Sequence, residues 1–399
     1  MPPVVFRKGL DLKEAVAADL AAAYHSRIVD DLKAAGFVQT TGRLTVHLAK
    51  EFGFCYGVDR AVDYAYQTRK KFPSKRVFLT GEIIHNPHVN DRLREKGIRI
   101  LTDAGEDRST LGPDDVVILP AFGVSIGELA ELAHQGCTLV DTTCGSVLNV
   151  WKNVRRYAQD GFTSVIHGKV HHEETRATAS QATQYPNGHF LIVRDEAEAE
   201  LACEFIRRGG DPAAFKARFG DAVSAGFDPA RHLERIGCAN QTTMLMTESL
   251  RIGEMFRAAM IDRYGEADLA TRFRAFDTIC SATQERQDAV VALLDEHRLD
   301  LVVVIGGYNS SNTCNLARIC AERAATFHIA EPDCLVSQSE IRHRPIGAPS
   351  TADVPEQVSH DWLPGGPVNV GLTAGASTPN NIVGQVIERL ARLTDGSRA

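Results

Sequence analysis

No apolar run in this 399-residue chain reaches the roughly 18–20 residues needed to cross a bilayer, so a membrane-spanning helix is not expected. The chain also lacks a G-x-x-x-x-G-K-S/T loop and a G-x-G-x-x-G fingerprint, which argues against a bound nucleotide, nicotinamide or flavin. Positive charge is in deficit. Lys and Arg number 44 against 51 Asp and Glu, for a net charge of −7, and this disfavours broad contact with nucleic acid or an anionic membrane. The first twenty residues carry acids early and have no continuous apolar core, so they read as neither signal nor transit peptide. The expected compartment is the cytoplasm; a plastid stromal chain whose leader has been removed would look the same.

What is present is ordinary globular composition: 44% hydrophobic and 24% charged residues. Single cores stop growing near ~250–300 residues, so two or three compact units are expected. Residues 1–45 hold a polar helical pattern ending at Gly36 and read as an N-terminal extension. Beyond it, short β-branched runs alternate with amphipathic helical segments. The runs fall at 76–80, 115–123, 137–143, 162–168, 189–195, 299–307, 325–331 and 368–377. That alternation predicts an α/β fold built of βαβ units with mostly parallel sheets. Residues 200–235 break the rhythm and read as a helical insertion. Residues 340–367, rich in Pro and Gly, read as a long connection. In open parallel sheets ligands sit beyond the carboxyl ends of strands. Polar clusters fall there: "GEIIHNPHVN", "HGKVHHEET", "GGYNSSNT" and "GLTAGASTPNN".

The nine cysteines are an odd number with no C-x-x-C, which disfavours a disulfide framework or a zinc ribbon. Three of them share one setting. Cys55 in "EFGFCYGVDRAV", Cys144 in "DTTCGSVLNV" and Cys280 in "DTICSATQERQ" each stand just before an expected helix, where unpaired N–H groups favour a thiolate. Asp-Thr-x-Cys occurs at both 141–144 and 277–280, which suggests repeated units with equivalent loops. Three converging thiolates could hold zinc with a water, or an iron–sulfur cluster with one open iron. Zinc catalysis usually recruits histidine or carboxylate as well, and three cysteines alone suit a cubane cluster better.

At this point the ordered motifs "GFCYGVDRAV", "GEIIHNPHVNDRL", "DTTC", "HEET", "NQTTM", "NSSN" and "TAGASTP" add up. Over residues 46–390 the chain resembles the LytB family of 4-hydroxy-3-methylbut-2-enyl diphosphate reductases, in its longer cyanobacterial and plastid-like branch. The resemblance implies three pseudo-repeated α/β lobes (46–143, 144–279, 280–399) around a central, oxygen-sensitive 4Fe–4S cluster. It assigns Cys55, Cys144 and Cys280 as ligands of three irons, leaving one iron open. His85, His172, Ser310, Ser311, Asn312 and Ser377 would bind the substrate diphosphate. His167 and His171 are near His172 in sequence, but the His-x-Glu spacing to Glu174 selects His172. Glu174 would be the proton donor, a carboxyl in a dry pocket, and Thr242 would link it to the substrate's alcohol. Two departures stand out: Phe122 where many members carry histidine, which removes one donor, and Gly145 where proline is common.

The implied reaction is reductive dehydroxylation of (E)-4-hydroxy-3-methylbut-2-enyl diphosphate to isopentenyl and dimethylallyl diphosphate. This is the last step of the non-mevalonate route. Electrons would come from a ferredoxin or flavodoxin, since the chain shows no nicotinamide or flavin motif. Two alternatives remain at this stage: a non-redox 4Fe–4S hydro-lyase, separable by electron stoichiometry, and a cluster-based sensor, which would need no acid or phosphate donors.

Overall fold

The computed structural model describes residues 4–276, 278–351 and 353–395. The chain divides into two compact units, both discontinuous in sequence. One holds the segment ending at Arg7 with Phe78–Gly81 and Ala104–Cys280; the other holds Lys8–Val77, Glu82–Asp103 and the chain from Ser281 onward.

The first unit contains two sheets. In one, Val5–Phe6, Thr138–Asp141, Val116–Leu119 and Val77–Leu79 follow one another, and the first three pair in parallel. The other runs Phe273–Ala275, Ile236–Asn240, Thr163–His167, Phe190–Val193, parallel throughout. Its middle strands are buried along their whole length, as expected for parallel strands covered on both faces. Gly237 lies in one of them because a Cβ there would run into the ring of Tyr157, whose hydroxyl donates to the Cys238 carbonyl at 3.1 Å. The segment read as an insertion is helical over Glu196–Arg208, Pro212–Phe219 and Pro229–His232. It also supplies core: the rings of Phe215 and Phe219 stack 4.5 Å apart and pack with Leu191, Ile236 and Phe256.

The second unit is built on the order Thr326–Ile329, Leu301–Ile305, Val368–Ala374, Leu44–Leu48, Val38–Thr41. All its pairs are parallel except the last, a hairpin turning at Gly42 (φ +57°). Leu44–Leu48 pairs beside Val368–Ala374, so this sheet joins chain from before residue 50 to chain beyond 300. The extension forms helices Lys13–Tyr24 and Arg27–Ala34. Val29 and Leu32 of the latter are fully buried against Val383, Val386 and Leu390 in the cluster beneath the C-terminal helix. The extension also walls a cavity of about 790 Å³, lined among others by Lys8, Tyr24, Phe54 and Tyr64.

All eight runs expected as strands contain one. The Pro- and Gly-rich stretch differs from expectation, since it contains the antiparallel hairpin Glu340–His343 with Gln357–His360. Its strands are short and mostly polar, so no alternation marks them. Their anchor is the buried Arg344, which donates to the carbonyls of Pro345, Ala348 and Pro349. Among the described residues, no helix is long and apolar enough to cross a membrane.

Candidate functional site

The cysteines sort into two groups. Cys55, Cys144 and Cys280 are half-buried, while the other six are buried. Burial pushes the Cys203 and Cys320 thiols up to about 12, and raises Cys238 and Cys334 as well, so these behave as inert core groups. Cys55 and Cys144 are the N-caps of helices Tyr56–Lys71 and Gly145–Gln159, and Cys280 directly precedes helix Ser281–Glu296. A thiol at a helix start faces N–H groups that no carbonyl of the same helix can satisfy, a setting that favours its deprotonated form.

All three cysteines are anchored in the same way. The N–H of Cys55 donates to Ala376 O (3.2 Å), that of Cys144 to Ala121 O (3.0 Å), and that of Cys280 to Thr242 O (3.4 Å). Each acceptor lies in a loop beyond a strand end: "AGAST", "PAFGVS" and "NQTTM". The Asp-Thr-x-Cys repeat is therefore structural. Thr142 Oγ1 donates to Leu119 O at 2.6 Å, and Thr278 Oγ1 to Asn240 O at 3.3 Å, in each case the last residue of a neighbouring strand. Asp141 accepts from the N–H and hydroxyl of Thr143. Asp277, its counterpart, lies outside the described residues.

In the first unit, strand Thr163–His167 ends in the loop that leads to helix Glu173–Ala182. His172 caps this helix: its Nδ1 accepts from the Glu174 N–H at 3.2 Å, which puts the proton of the neutral ring on Nε2. Phe122 meets this imidazole edge-on, centroids 5.4 Å apart at 80°. The aromatic at that position therefore packs against a candidate phosphate ligand where a histidine would have offered a donor. His171 is exposed. His167 is buried at the strand end on Ser249 Oγ (2.7 Å), and burial lowers its pKa to about 4.

Glu174 is 1% exposed. Thr242 donates to it twice, from N–H to Oε1 at 2.6 Å and from Oγ1 to Oε2 at 3.0 Å. Because the Thr242 carbonyl also accepts from Cys280, one residue joins the candidate acid to a candidate cluster ligand. Gln241 fastens the same two loops. Its Oε1 accepts from Lys169 N–H and Thr175 Oγ1, and its own N–H donates to His167 O. Sequence reasoning passed over Gln241, although it stands inside the quoted "NQTTM".

In the second unit, Ser310 caps helix Ser311–Ala321, its Oγ accepting from Thr313 N–H. Ser311 and Asn312 occupy the first turn and are buried. Asn312 Oδ1 accepts from Ala376 N–H at 2.9 Å, which fixes the amide orientation and leaves Nδ2 buried with no hydrogen-bond partner. A buried donor without an acceptor costs about 1–3 kcal/mol, so an anionic ligand would be received there. Gly375 is required beside this helix, since a Cβ would strike Thr313 Oγ1. Ser377 Oγ donates to His85 O at 3.0 Å. The His85 ring lies 2.9 Å from Glu82 Oε2, and the same oxygen accepts from Asn309 Nδ2 at 2.9 Å. Arg286 was likewise unremarked in the sequence. Buried, it donates from Nε and Nη2 to Gly53 O and from Nη2 to Phe54 O, bracing the backbone just ahead of Cys55.

The candidate residues thus divide between the units: Glu174, Thr242, His172, Cys144 and Cys280 stand in loops or helix starts of the first, and Cys55, His85, Ser310, Ser311, Asn312 and Ser377 in loops or helix starts of the second. The cysteines fit an iron–sulfur group, being the accessible thiols, at helix starts and with a repeated backbone anchor.

Comparison with known proteins gives a consistent picture. A family model described as LytB protein matches residues 46–391. The 4-hydroxy-3-methylbut-2-enyl diphosphate reductase of Gloeobacter violaceus is 49% identical over 395 residues, covering 97% of this chain and 92% of that protein. Its counterpart from a Synechococcus species is 49% identical over 393 residues, covering 98% and 96%. A solved structure of (E)-4-hydroxy-3-methyl-but-2-enyl diphosphate reductase, the terminal enzyme of the non-mevalonate pathway, is 27% identical with a TM-score of 0.51, covering 87% of this chain and 99% of that one. The Plasmodium falciparum E-1-hydroxy-2-methyl-but-2-enyl-4-diphosphate reductase structure has a TM-score of 0.62 at 20% identity, covering 86% of each chain, and speaks to fold alone.

Proposed function

The chain belongs to the LytB protein family, and from that premise we propose how its residues carry out the family's reaction. It is an iron–sulfur oxidoreductase of isoprenoid precursor synthesis, acting on 4-hydroxy-3-methylbut-2-enyl diphosphate at the last step of the non-mevalonate route. The substrate's C–O bond is cleaved with two electrons and two protons, giving water and isopentenyl or dimethylallyl diphosphate.

Cys55, Cys144 and Cys280 hold the cluster, which we assign as 4Fe–4S with three cysteine ligands and one open iron. When bound, such a cluster supplies single electrons and Lewis acidity toward the hydroxyl. Everything else falls to the chain's own side chains. His85, His172, Ser310, Ser311, Asn312 and Ser377 grip the diphosphate, and this fixes the distance of the alcohol from the acid. Glu174 delivers a proton to the departing oxygen, and Thr242 Oγ1 holds the carboxyl toward the alcohol. The electrons come from a ferredoxin or flavodoxin. The segments 46–143, 144–279 and 280–399 are the repeat units, each containing one of the three cysteines.

The observation that carries this reading is Thr242, bonded through side chain and N–H to a buried carboxyl and through its carbonyl to Cys280. A core glutamate with a purely structural task has no need of a cysteine at its relay. The test is anaerobic purification with iron and sulfide analysis. One cluster per chain is expected. Cys55→Ser, Cys144→Ser and Cys280→Ser should each lose it, a hydroxyl being a poor substitute for thiolate, while Cys203→Ser, Cys314→Ser and Cys334→Ser should retain it. Should one of the latter three prove indispensable while Cys280 is dispensable, the ligand set is wrong.

A further inference from the structure

We propose that the outer face of helix Gly145–Gln159, with Phe276 beside it, is the docking surface for the electron donor, an acidic one-electron carrier protein. The proposal rests on the reading that electrons arrive from such a carrier.

The helix divides cleanly into two sides. Val147, Val150, Val154 and Tyr157 are buried, while Leu148, Lys152, Arg155, Arg156 and Gln159 fall on the opposite side at helical spacing. Lys152, Arg155 and Arg156 line a surface cavity of about 580 Å³ together with Asp160, Tyr185 and Phe276. Phe276 is 49% exposed and Leu148 41%, two large apolar groups left in water. Asp160 is the acid of this group, and it is already engaged. Arg274 bonds it and, with Arg156 and Arg235, holds its carboxyl below the usual range. Lys152 and Arg155 have no acid within ion-pair distance among the described residues. Five cations therefore surround one carboxylate, on a chain whose net charge is −7. Two of the five are held in place: Arg235 and Arg274 lie over the Phe162 ring, 4.3 and 4.1 Å from its centroid. Basic residues in a last turn complement the helix dipole, which accounts for Arg156. The dipole does not account for Lys152 two turns earlier, for arginines brought by other elements, or for an exposed phenylalanine.

Position selects the occupant. The helix starts at Cys144, whose carbonyl accepts from the Leu148 N–H at 3.0 Å, and Phe276 precedes Cys280 by four residues. The patch thus begins one turn from one candidate cluster ligand and lies on the segment leading to another. Electron transfer weakens steeply with distance, so a carrier must seat its redox centre close to these cysteines. Nucleic acid or a membrane would gain nothing from that closeness. Because the chain as a whole repels an acidic protein, a local cationic face also sets the carrier's orientation. Cations at the rim with Leu148 and Phe276 at the centre match the anatomy of a transient protein interface. In each encounter the reduced carrier gives up one electron and leaves oxidised. Two encounters supply the two electrons that, with two protons, are consumed as the C–O bond breaks.

The test uses anaerobic holoenzyme with a plant-type 2Fe–2S ferredoxin, and a reduced viologen dye as a small donor that needs no docking surface. The variant Lys152→Glu/Arg155→Glu should raise Kd for oxidised ferredoxin, measured by calorimetry, and KM for the reduced form, each by about tenfold or more. Its affinity should also lose much of the salt dependence of wild type. Phe276→Ala should raise Kd about fivefold or more and leave that salt dependence in place. Iron content, melting temperature and viologen-driven turnover should match wild type in both. Lys216→Glu reverses an exposed lysine outside the patch and should change Kd by less than about twofold. The proposal is overturned if Lys152→Glu/Arg155→Glu binds ferredoxin as wild type does, or if Lys216→Glu weakens binding as much. It is overturned as well if viologen-driven turnover falls in step, or if the reversals weaken heparin binding and spare ferredoxin. A wild-type enzyme driven by viologen but by neither ferredoxin nor flavodoxin would instead remove the donor reading, and the proposal with it.

Discussion

Arg286→Met removes the brace beneath Cys55, and its cost can be worked from the contacts. The guanidinium is 4% exposed and donates to Gly53 O at 3.1 and 2.8 Å, to Phe54 O at 3.2 Å and to Ala282 O at 2.8 Å. Methionine fills much of the stem's volume but offers no donor. Two loop carbonyls next to Cys55 then lose their partner, at about 1–3 kcal/mol each, while the Ala282 carbonyl keeps its place in the helix. A net loss of about 2–4 kcal/mol follows, or a fall of roughly 5–10 °C in melting temperature. Gly53 adds to the sensitivity, since its φ of +70° holds a turn that the Arg286 bonds stabilise. The charge matters too. Burial raises the Asp59 carboxyl and Arg286 is the largest influence opposing it, so this acid should move further up in the variant. The assay is iron retained after anaerobic gel filtration, alongside thermal unfolding. Arg286→Met should shed iron faster than wild type, and Arg286→Lys should recover only part, because a single ammonium nitrogen cannot reproduce the bonds that three guanidinium nitrogens make to Gly53, Phe54 and Ala282. Wild-type melting together with wild-type iron retention would refute the reasoning.

The remaining predictions concern the phosphate cradle and pH. Asn312→Ala should raise KM about tenfold or more with an unchanged cluster spectrum, since it deletes the buried Nδ2 that lacks an acceptor; unchanged KM would remove Asn312 from the cradle. Phe122→His should fold and turn over normally, because an imidazole can take the place of the ring that meets His172 edge-on; a lost cluster or lost turnover would contradict this. His167 is held near pKa 4 chiefly by burial, against an ordinary value of 6.5. A neutral ring in the fold stabilises above the unfolded pKa, so about 3 kcal/mol is lost as pH falls from 6.5 to 4. His167→Asn should flatten that part of the pH–stability curve measured by denaturant unfolding, and an unchanged slope would contradict the assignment.

Much of the fold was legible in the sequence because parallel strands buried on both faces form continuous apolar runs. Leu301–Ile305 and Val116–Leu119 are examples, with every residue buried. Strand Ile236–Asn240 escaped notice because "IGCAN" carries a glycine that serves the Tyr157 ring and an asparagine at its end. Phe273–Ala275 and the hairpin at Glu340–His343 are too short for a period to register. The three cysteines could be picked out because a helix start leaves a local mark. The residues that hold the site were harder to see. Gln241 and Arg286 act across loops distant in sequence, Arg286 reaching a carbonyl 233 positions away. Such partners follow from strand order, which local pattern does not reveal.

The most direct test of the proton pathway is the turnover of Glu174→Gln in cluster-replete enzyme. Glutamine keeps the size of the side chain and can still accept from Thr242, but it has no proton to give. Cluster content should match wild type, and added substrate should still perturb the cluster spectrum. Turnover should fall by ~10²-fold or more. Thr242→Val, which keeps the N–H bond to Glu174 and the carbonyl bond to Cys280, should show a milder form of the same defect. Near-normal turnover by Glu174→Gln with an intact cluster would contradict the account and make His172 the next acid to examine.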